Sequence, residues 1–532
     1  MKRAGLLLLG LCLLVPATAD AAAAAIDCKS AKPPTTDWAT YLSTCRSQAA
    51  AARKRILGDS APAAAAVLDV YDSRTTVAGA NWANVPTWSE ADIVAQFRAT
   101  RDAQYMTTAG DPRLRRISWQ YPDDGCFTRA EQVNVRVAQA GKPKPYKLFA
   151  FGRFQRLYVS TPNDVDGVVD WWYHVVPVVK NPAGQAIVLD AAVSPCRPLF
   201  WREWLALMAN DLSFFDDVAG GNGVTVADPN AYIPFSLVTG EPSHAQESLD
   251  DQVGIYLFEE WNRAQELGRD PNAVLFATPP WSGYGCWGSK LVTATANVGP
   301  GANTTVTATC PIGTLAVGGG FGAGTNSFAI SKSAMSGRSW QVTGRNNGST
   351  TKPLWSEAAC LIGAPSGASI SSIQGNVVNV AANSNGTSTA TCGSGKLTSG
   401  GFTTTLGTNP ATVMRIYNNN RTTSTGNTWQ ASAQNTTAAS KSVTSFAYCL
   451  QGTNYNVTQI SANLTSNGSA IVACNSSTQV SAGGGITFPR LTNYTVTAAS
   501  FLGPTAYYAQ MSPAPAAGDA NAKAFAECLS HP

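Results

Sequence analysis

The stretch Asp-Asp-Gly-Cys-Phe-Thr-Arg-Ala (residues 123–130) places a cysteine at the predicted start of a helix. Residues 127–140 contain no glycine or proline, and apolar residues recur among them at helical spacing. Cys126 is therefore expected on the inward face of the first turn. Backbone N–H groups and the positive end of the helix dipole there favour the thiolate, which is the attacking form of cysteine. The alternative interpretation is a buried, inert cysteine.

The cysteine count also draws attention to this residue. The chain has 12 cysteines, of which Cys12 lies in residues 1–25, a basic, then apolar, then small-residue pattern typical of a secretory signal peptide. The apolar run is too short to span a bilayer, so we expect a secreted (extracellular or periplasmic) protein in which disulfides persist and no membrane span is present. Eleven cysteines remain, and an odd number leaves at least one thiol unpaired.

Plausible partners exist for most of the remaining cysteines. Cys28 and Cys45 flank a short N-terminal segment. Six others recur as one pair per repeat in the C-terminal half: Cys310/Cys360, Cys392/Cys449 and Cys474/Cys528. If Cys196 pairs with Cys286, the free thiol is Cys126. The sequence alone does not fix this pairing.

Length and charge limit the classes of protein that the chain can represent. At 532 residues it is too long for one ordinary hydrophobic core. Charged residues make up only 13% of the chain, and residues 287–532 carry 11 Lys or Arg but three Asp or Glu. The net charge of +4 is too small for nucleic-acid binding, which calls for a clustered basic stripe and usually a pI above about 9.

Residues 26–110 are alanine-rich and predicted to be helical. The clearest helical stretches are 38–57 and 88–106, separated by a glycine- and proline-containing break at 58–62. The second stretch opens with Ser89 and two acidic residues, which suit a helix start. The region is either a structural domain or a candidate propeptide that covers an active site until it is cleaved.

Histidines are scarce, so an imidazole base has few candidates. The chain has three, of which His244 and His531 lie in polar or terminal stretches and are expected to be solvated. His174 lies in a strand-like run at 168–179, and a second such run follows at 186–193. Turn-forming residues between the runs predict a β-hairpin.

The register of this hairpin can be predicted by counting. With a five-residue loop, Val179 pairs with Gln185, and His174 then lies directly opposite Asp190 on the same face. Asp190 can then accept the imidazole N–H while the other ring nitrogen serves Cys126. A four-residue loop would turn Asp190 to the other face. The alternative for His174 is a core histidine bound to a backbone carbonyl.

Four segments together resemble the bacterial protein-glutamine glutaminases, a family of secreted protein deamidases. They are Asp-Gly-Cys-Phe-Thr-Arg-Ala (124–130), Tyr-Lys-Leu-Phe-Ala-Phe-Gly (146–152), Trp-Tyr-His-Val-Val-Pro-Val-Val (172–179) and Ile-Val-Leu-Asp (187–190). The resemblance covers residues 111–285 and implies an α+β, papain/transglutaminase-like catalytic domain. It implies that the chain hydrolyses protein-bound glutamine to glutamate and ammonia. The nucleophile would be Cys126, the base His174 and the orienting residue Asp190, and residues 26–110 would suit the family's covering prosegment.

Two positions depart from the family pattern. Phe127 stands where tyrosine is common, and Ala191 follows Asp190 in place of proline. Both could reshape the substrate cleft. The oxyanion donor has two candidates, the backbone N–H of Cys126 and the side chain of Gln120, because papain-like proteases carry a glutamine six residues before the cysteine.

The C-terminal half is a different kind of sequence, rich in Thr, Ser, Asn and Gly. The first cysteine of each repeat recurs every 82 residues, and an aromatic residue precedes the second by 20: Trp340, Trp429 and Tyr508. We expect three disulfide-stapled all-β repeat modules, each with a strand packed on its own disulfide. Their predicted bounds are 286–370, 371–455 and 456–532.

Three classes of function remain open. The first is the protein glutaminase, acting on protein or peptide substrates with exposed glutamine. The second is another thiol acyl-transfer enzyme, either a transglutaminase or a cysteine peptidase, because the same triad serves all three reactions. The third is a non-catalytic protein that binds a cell-surface or polymer ligand through its C-terminal modules, which could equally be passive spacers. No cofactor, metal-ligand cluster or phosphate loop is indicated.

Overall fold

The computed structural model describes residues 82–531 except for 109, 153–156, 172, 209–222, 232–245, 283–284, 325, 366, 406–413, 476–478, 489–494 and 514–520. Several sequence predictions fall outside the described residues. They are the signal peptide, the helix at 38–57, the break at 58–62, the Cys28/Cys45 pair and the environment of His244. Within the described part of the chain, no helix is both long and apolar enough to cross a membrane.

The front half of the described chain mixes helices and strands. Its helices α1 to α4 are Glu90–Asp102, Cys126–Gln139, Trp201–Met208 and Gln246–Glu266. Its strands β1 to β9 are Met106–Thr108, Asp111–Arg115, Tyr146–Phe151, Leu157–Ser160, Val168–Trp171, Tyr173–Lys180, Ala186–Val188, Leu199–Phe200 and Gly223–Ala227. A π-helical turn, Asn272–Phe276, follows α4.

Helix α1 confirms the helix predicted at 88–106, although it is shorter. Ser89 is its N-cap, and the Ser89 side chain accepts a hydrogen bond from the backbone of Asp92. Ile93 and Phe97 are buried in the core shared with α2. Met106, the last residue of the predicted helix, instead begins β1, which pairs with β2.

A five-stranded antiparallel sheet, in the order β8-β7-β6-β3-β9, forms the centre of this half. Alternate residues of β6 enter different cores, as expected for the period of two in a strand. Val176 and Val178 pack with Trp204 of α3, whereas Val179 packs in the core that contains α2. The sheet therefore lies between these two helices.

The strand predicted at 168–179 is divided between two sheets. Its first part, β5, pairs with β4 in a separate two-stranded hairpin, and its second part, β6, joins the central sheet. A tight turn before β5, where the backbone N–H of Thr161 donates to the carbonyl of Gly167, closes the hairpin with β4.

The predicted register of the next hairpin is wrong by two residues. Val179 pairs with Ile187, not with Gln185, because Asn181 and Gln185 close the turn themselves. The Asn181 backbone N–H donates to the Gln185 carbonyl, and the Asn181 side-chain oxygen accepts from the Gln185 backbone N–H. A shift of two residues keeps the same face. Strand β7 ends at Val188, so Asp190 lies in the turn beyond the strand and still reaches His174.

The C-terminal half is entirely β among its described residues. Strands β10 to β15 are Gly288–Val298, Asn303–Thr309, Leu315–Ala323, Phe328–Ser336, Ser339–Asn346 and Lys352–Ile362. Strands β16 to β22 are Ser369–Gln374, Val378–Val380, Asn385–Thr391, Lys396–Thr404, Met414–Arg421, Thr428–Asn435 and Lys441–Gln451. Strands β23 to β28 are Asn456–Asn463, Ser469–Ala473, Gln479–Thr487, Thr495–Phe501, Ala506–Ser512 and Lys523–Ser530.

These strands form three sheets that do not follow the repeat boundaries. The orders are β10-β15-β12-β26-β27-β24, β11-β14-β13-β19-β22-β16 with β17 on β22, and β18-β21-β20-β25-β28-β23. Each sheet joins strands from two different repeats, and residues of all three repeats share one core. The predicted repeats at 286–370, 371–455 and 456–532 therefore interlock in one β domain.

The repeated glycines allow two sheets to pack closely against each other within each repeat. A Cβ on the middle glycine of the repeat motif would lie 2.2 Å from the Trp340 ring at Gly319, 2.2 Å from the Trp429 ring at Gly400 and 2.3 Å from the Tyr507 ring at Gly484. The aromatic residue in the third repeat is thus Tyr507, which is buried, and not the predicted Tyr508. Only glycine allows these rings to pack against the strand.

The disulfide predictions are confirmed wherever the structure describes the residues. Cys196 bonds to Cys286, and the three repeat pairs Cys310/Cys360, Cys392/Cys449 and Cys474/Cys528 each form one bond. Cys126 is the one free cysteine among the described residues, and it is buried. Four disulfides indicate a protein that resides in an oxidising, extracellular environment.

Candidate active site

Cys126 is the first residue of α2, as the sequence predicts. Gly125 before it has φ 75°, a left-handed conformation that side chains rarely adopt. A Cβ at Gly125 would also lie 2.7 Å from the ring of Tyr256 in α4. Glycine is therefore required both for the turn into the helix and for the close approach of α4.

The loop before Cys126 is fixed by several hydrogen bonds. Arg129, one turn into α2, donates to the carbonyls of Tyr121 and Asp124, each at 2.7 Å. The Asp124 carboxylate accepts the Gly125 backbone N–H at 2.7 Å. Arg263 of α4 pairs with Asp123. These contacts hold the start of the helix in one position.

His174 and Asp190 form a buried pair. The distance from His174 Nε2 to Asp190 Oδ2 is 2.9 Å, and the two residues are 1% and 4% exposed. Trp204 Nε1 donates to the same Oδ2 at 2.9 Å, while Oδ1 accepts the backbone N–H groups of Ala192 and Val193. With both oxygens bound, the carboxylate can fix the orientation and tautomer of the imidazole.

The electrostatics favour the charged forms of this pair. Burial acts to lower the pKa of His174, but the Asp190 carboxylate and a hydrogen bond with Cys126 outweigh it and raise that pKa to about 9. Burial acts to raise the pKa of Asp190, but His174 and Trp204 outweigh it and lower that pKa. An imidazolium bound to a carboxylate is therefore the stable state near neutral pH.

The second ring nitrogen of His174 is directed to the thiol. Because Nε2 is occupied by Asp190, Nδ1 is the nitrogen left for Cys126, and it has no other hydrogen-bond partner among the described residues. Cys126 contributes to the raised pKa of His174, so the two side chains lie close enough to interact. The three residues selected from the sequence thus meet in one site.

Two tryptophans clamp the imidazole. The His174 ring stacks on Trp171 with a centroid distance of 4.3 Å and an angle of 8°, and on Trp204 at 5.6 Å and 27°. Trp171 Nε1 also donates to the carbonyls of Pro122 and Asp123 in the loop before the cysteine. Trp171 therefore links the position of the base to the position of the nucleophile.

Two tyrosines that sequence reasoning missed lie beside the thiol. Burial raises the pKa of Tyr173, and Cys126 raises it further through its charge and a hydrogen bond. Burial likewise raises the pKa of Tyr256, with Asp124 and Cys126 adding to the effect. Tyr173 immediately precedes His174, so the available signal was its place in the motif. Tyr256 is 130 residues from Cys126 in the chain, and no local pattern marks it.

Other candidates from the sequence lie elsewhere. The Gln120 side-chain amide donates to the Val274 carbonyl at 3.3 Å, and its backbone N–H donates to Glu260, so its predicted role at the oxyanion gains no support. His531 packs edge-on to Trp287, with ring centroids 4.9 Å apart, and is half-buried rather than solvated.

Comparison with known protein families identifies one part of the chain. Residues 93–208 match the family model Gln_deamidase_2, described as glutaminase. No curated protein matches the chain.

Solved structures of protein-glutaminase are also similar to this chain. The crystal structure of protein-glutaminase is 20% identical, with a TM-score of 0.23, over 32% of this chain and 86% of that one. The crystal structure of pro-protein-glutaminase is 17% identical, with a TM-score of 0.24, over 35% of this chain. This chain spans 61% of the length of that pro-form.

Proposed function

We propose, from the premise that residues 93–208 form a glutaminase-family domain, that this chain is a secreted protein-glutamine glutaminase. Its reaction is hydrolysis of the side-chain amide of protein-bound glutamine to glutamate and ammonia. The observation that carries the proposal is the arrangement of Cys126, His174 and Asp190, with the thiol at a helix start and the imidazole between thiol and carboxylate.

The first half of the proposed reaction is acyl transfer to sulfur. The Cys126 thiolate attacks the carboxamide carbon and forms a tetrahedral oxyanion. His174 then gives its Nδ1 proton to the leaving nitrogen, the C–N bond breaks, and ammonia departs. The products of this half are a thioester on Cys126 and a neutral imidazole.

The second half returns the enzyme to its starting state. Neutral His174 takes a proton from water, and the resulting hydroxide attacks the thioester carbon. The C–S bond breaks, which releases the γ-carboxylic acid and restores the thiolate beside the imidazolium. The new carboxyl group then loses its proton to solvent and becomes the glutamate carboxylate. Asp190 stays ionised throughout and stabilises the charge on the imidazole.

The oxyanion needs a hydrogen-bond donor at the attacked carbon. The backbone N–H of Cys126 is the candidate that remains, because the first N–H groups of a helix have no partner within that helix. Removal of one such donor costs about 3–4 kcal/mol in other acyl-transfer enzymes. Gln120 is not part of this proposal, since its amide donates to Val274.

The C-terminal boundary of the candidate propeptide can be placed more closely within residues 26–110. Val85 is buried in the core that contains β6, and the backbones of Pro86 and Trp88 hydrogen-bond to Lys180 at the end of that strand. These contacts support the inclusion of residues from 85 onward in the catalytic domain. A segment removed on activation would end before residue 85.

Product analysis by mass spectrometry tests the reaction type. A glutamine-containing protein substrate incubated with the purified chain should show glutamate in place of glutamine, with chain length unchanged. Peptides joined through a glutamine–lysine bond would indicate a transglutaminase, and shortened peptides a peptidase; either result without deamidation would contradict the proposal. The Cys126→Ala variant is the control for contaminating enzymes.

A further inference from the structure

The C-terminal β domain contains a cavity at the junction of its three sheets. Its volume is about 280 Å³, and its walls come from all three repeats. Phe321, Phe402 and Ile486 each follow the glycine motif of one repeat, and all three are buried. The cavity therefore lies where the approximate three-fold repetition brings equivalent positions together.

A second ring of equivalent residues lines the same cavity. Strands β13, β20 and β26 each contain a bulge, and the residues immediately before it are Ile330, Ile416 and Val496. With Phe328 and Met414, these side chains give the cavity a mainly apolar lining. Water gains few hydrogen bonds against such walls, so an apolar group that replaces it is favoured.

One position breaks the repetition. The residue immediately before each of these three ring positions differs between the repeats. It is Ala329 in the first repeat and Thr495 in the third, but Arg415 in the second. Nε and Nη1 of Arg415 are buried and have no hydrogen-bond partner among the described residues. Burial lowers the pKa of Arg415, and no acidic group of the described residues offsets that effect.

A second polar group without a partner lines the cavity. The side-chain oxygen of Asn347 is buried and accepts no hydrogen bond from the described residues. Buried polar atoms in folded proteins are nearly always paired, so two such groups at one apolar cavity point to a ligand that pairs them. An anionic group of the ligand would pair with Arg415, and a hydrogen-bond donor would pair with the Asn347 side-chain oxygen.

We propose that this cavity is a binding site for a small carboxylate with an apolar body. Arg415 would bind the carboxylate, the ring of apolar side chains would enclose the body, and Asn347 would accept from a hydroxyl or amine on it. A monoanion fits better than a phosphate, because Arg415 is the one cation among the described residues that line the cavity. A volume just below the range of roughly 300–1,000 Å³ for small-molecule sites suits a single ring.

Calorimetric titration of the whole chain tests this site with matched probes. Benzoate, 4-hydroxybenzoate and the neutral analogue benzamide have the same body and differ in the groups that Arg415 and Asn347 would recognise. We expect benzoate to bind at least about tenfold more tightly than benzamide, the factor that one charge-assisted hydrogen bond supplies. We expect 4-hydroxybenzoate to bind more tightly than benzoate.

Two variants test whether the binding takes place in the cavity. Arg415→Ala, which restores the residue of the first repeat, should abolish the preference for benzoate and leave ammonia release from protein substrates unchanged. Lys396→Ala removes a cation that does not line the cavity and should keep the preference. Equal binding of benzoate and benzamide, no binding of either at millimolar concentration, or a preference that survives Arg415→Ala would overturn the proposal.

Discussion

Asp190 Oδ2 accepts hydrogen bonds from both His174 Nε2 and Trp204 Nε1, each at 2.9 Å. The base and a tryptophan of α3 therefore share one carboxylate oxygen. Because the other oxygen is bound by two backbone N–H groups, the carboxylate cannot rotate without breaking several hydrogen bonds. This anchoring sets the position of the imidazole relative to Cys126.

Asp190→Asn should reduce kcat by about 10²- to 10⁴-fold, because an amide that donates to Nε2 stabilises the wrong tautomer of His174. Trp204→Phe is the matched control, since it removes the other donor to the same oxygen and keeps the imidazole contact. Its loss of kcat should be much smaller. Steady-state ammonia release measures both variants, and equal losses would argue against an orienting role for Asp190.

Tyr173→Phe should make the Cys126 thiolate less stable relative to the thiol. The Tyr173 hydroxyl hydrogen-bonds with Cys126, and loss of a hydrogen bond to a charged group typically costs about tenfold in an equilibrium. We expect the rate of alkylation by iodoacetamide to rise at a higher pH in the variant than in the wild type. A purely structural role would lower protein stability and leave this pH profile in place.

The His174–Asp190 pair should make stability depend on pH. The imidazole titrates near 6.5 when unfolded and at about 9 when folded. Its stabilising contribution is therefore complete below pH 6.5 and is lost as pH rises through 9, by about 3 kcal/mol at most. The Tm difference between wild type and His174→Gln should shrink between these pH values. A difference that is constant or grows over that range would contradict the raised pKa.

Gly125→Ala should destabilise the catalytic domain and abolish activity. The alanine would have to adopt φ 75°, which costs about 1–3 kcal/mol of stability, and its Cβ would also clash with Tyr256. Gly141→Ala is a matched control, because that glycine has φ 74° and no heavy atom within 4 Å of its added Cβ. Chemical denaturation should show a larger loss in the free energy of unfolding for Gly125→Ala than for Gly141→Ala. Similar losses in the two variants would mean that the Tyr256 contact is unimportant.

The order of residues along the chain predicted most of the site. Cys126 at a helix start follows from glycine placement and helical spacing, and an unpaired thiol follows from the odd number of cysteines. Local patterns sufficed because each of these features depends on near neighbours in the sequence or on simple counting. The Cys196–Cys286 bond was an open pairing that the structure then showed.

The features that the sequence did not predict depend on long-range packing. The hairpin register is set by side-chain hydrogen bonds of Asn181, which a count of loop residues cannot include. Tyr256 reaches the thiol from a distant helix. The interlocked sheets arise because strands pair across repeat boundaries, whereas a repeat pattern shows only which segments are equivalent.

Ammonia release from casein, with and without limited proteolysis before residue 85, is the most direct measurement of the central claim. The account predicts ammonia from the wild type, more of it after proteolysis, and none from Cys126→Ala or His174→Ala. Ammonia production that persists in Cys126→Ala would contradict the assigned nucleophile. Absence of ammonia under every condition, with the Cys126 thiol shown to be intact, would contradict the deamidase itself.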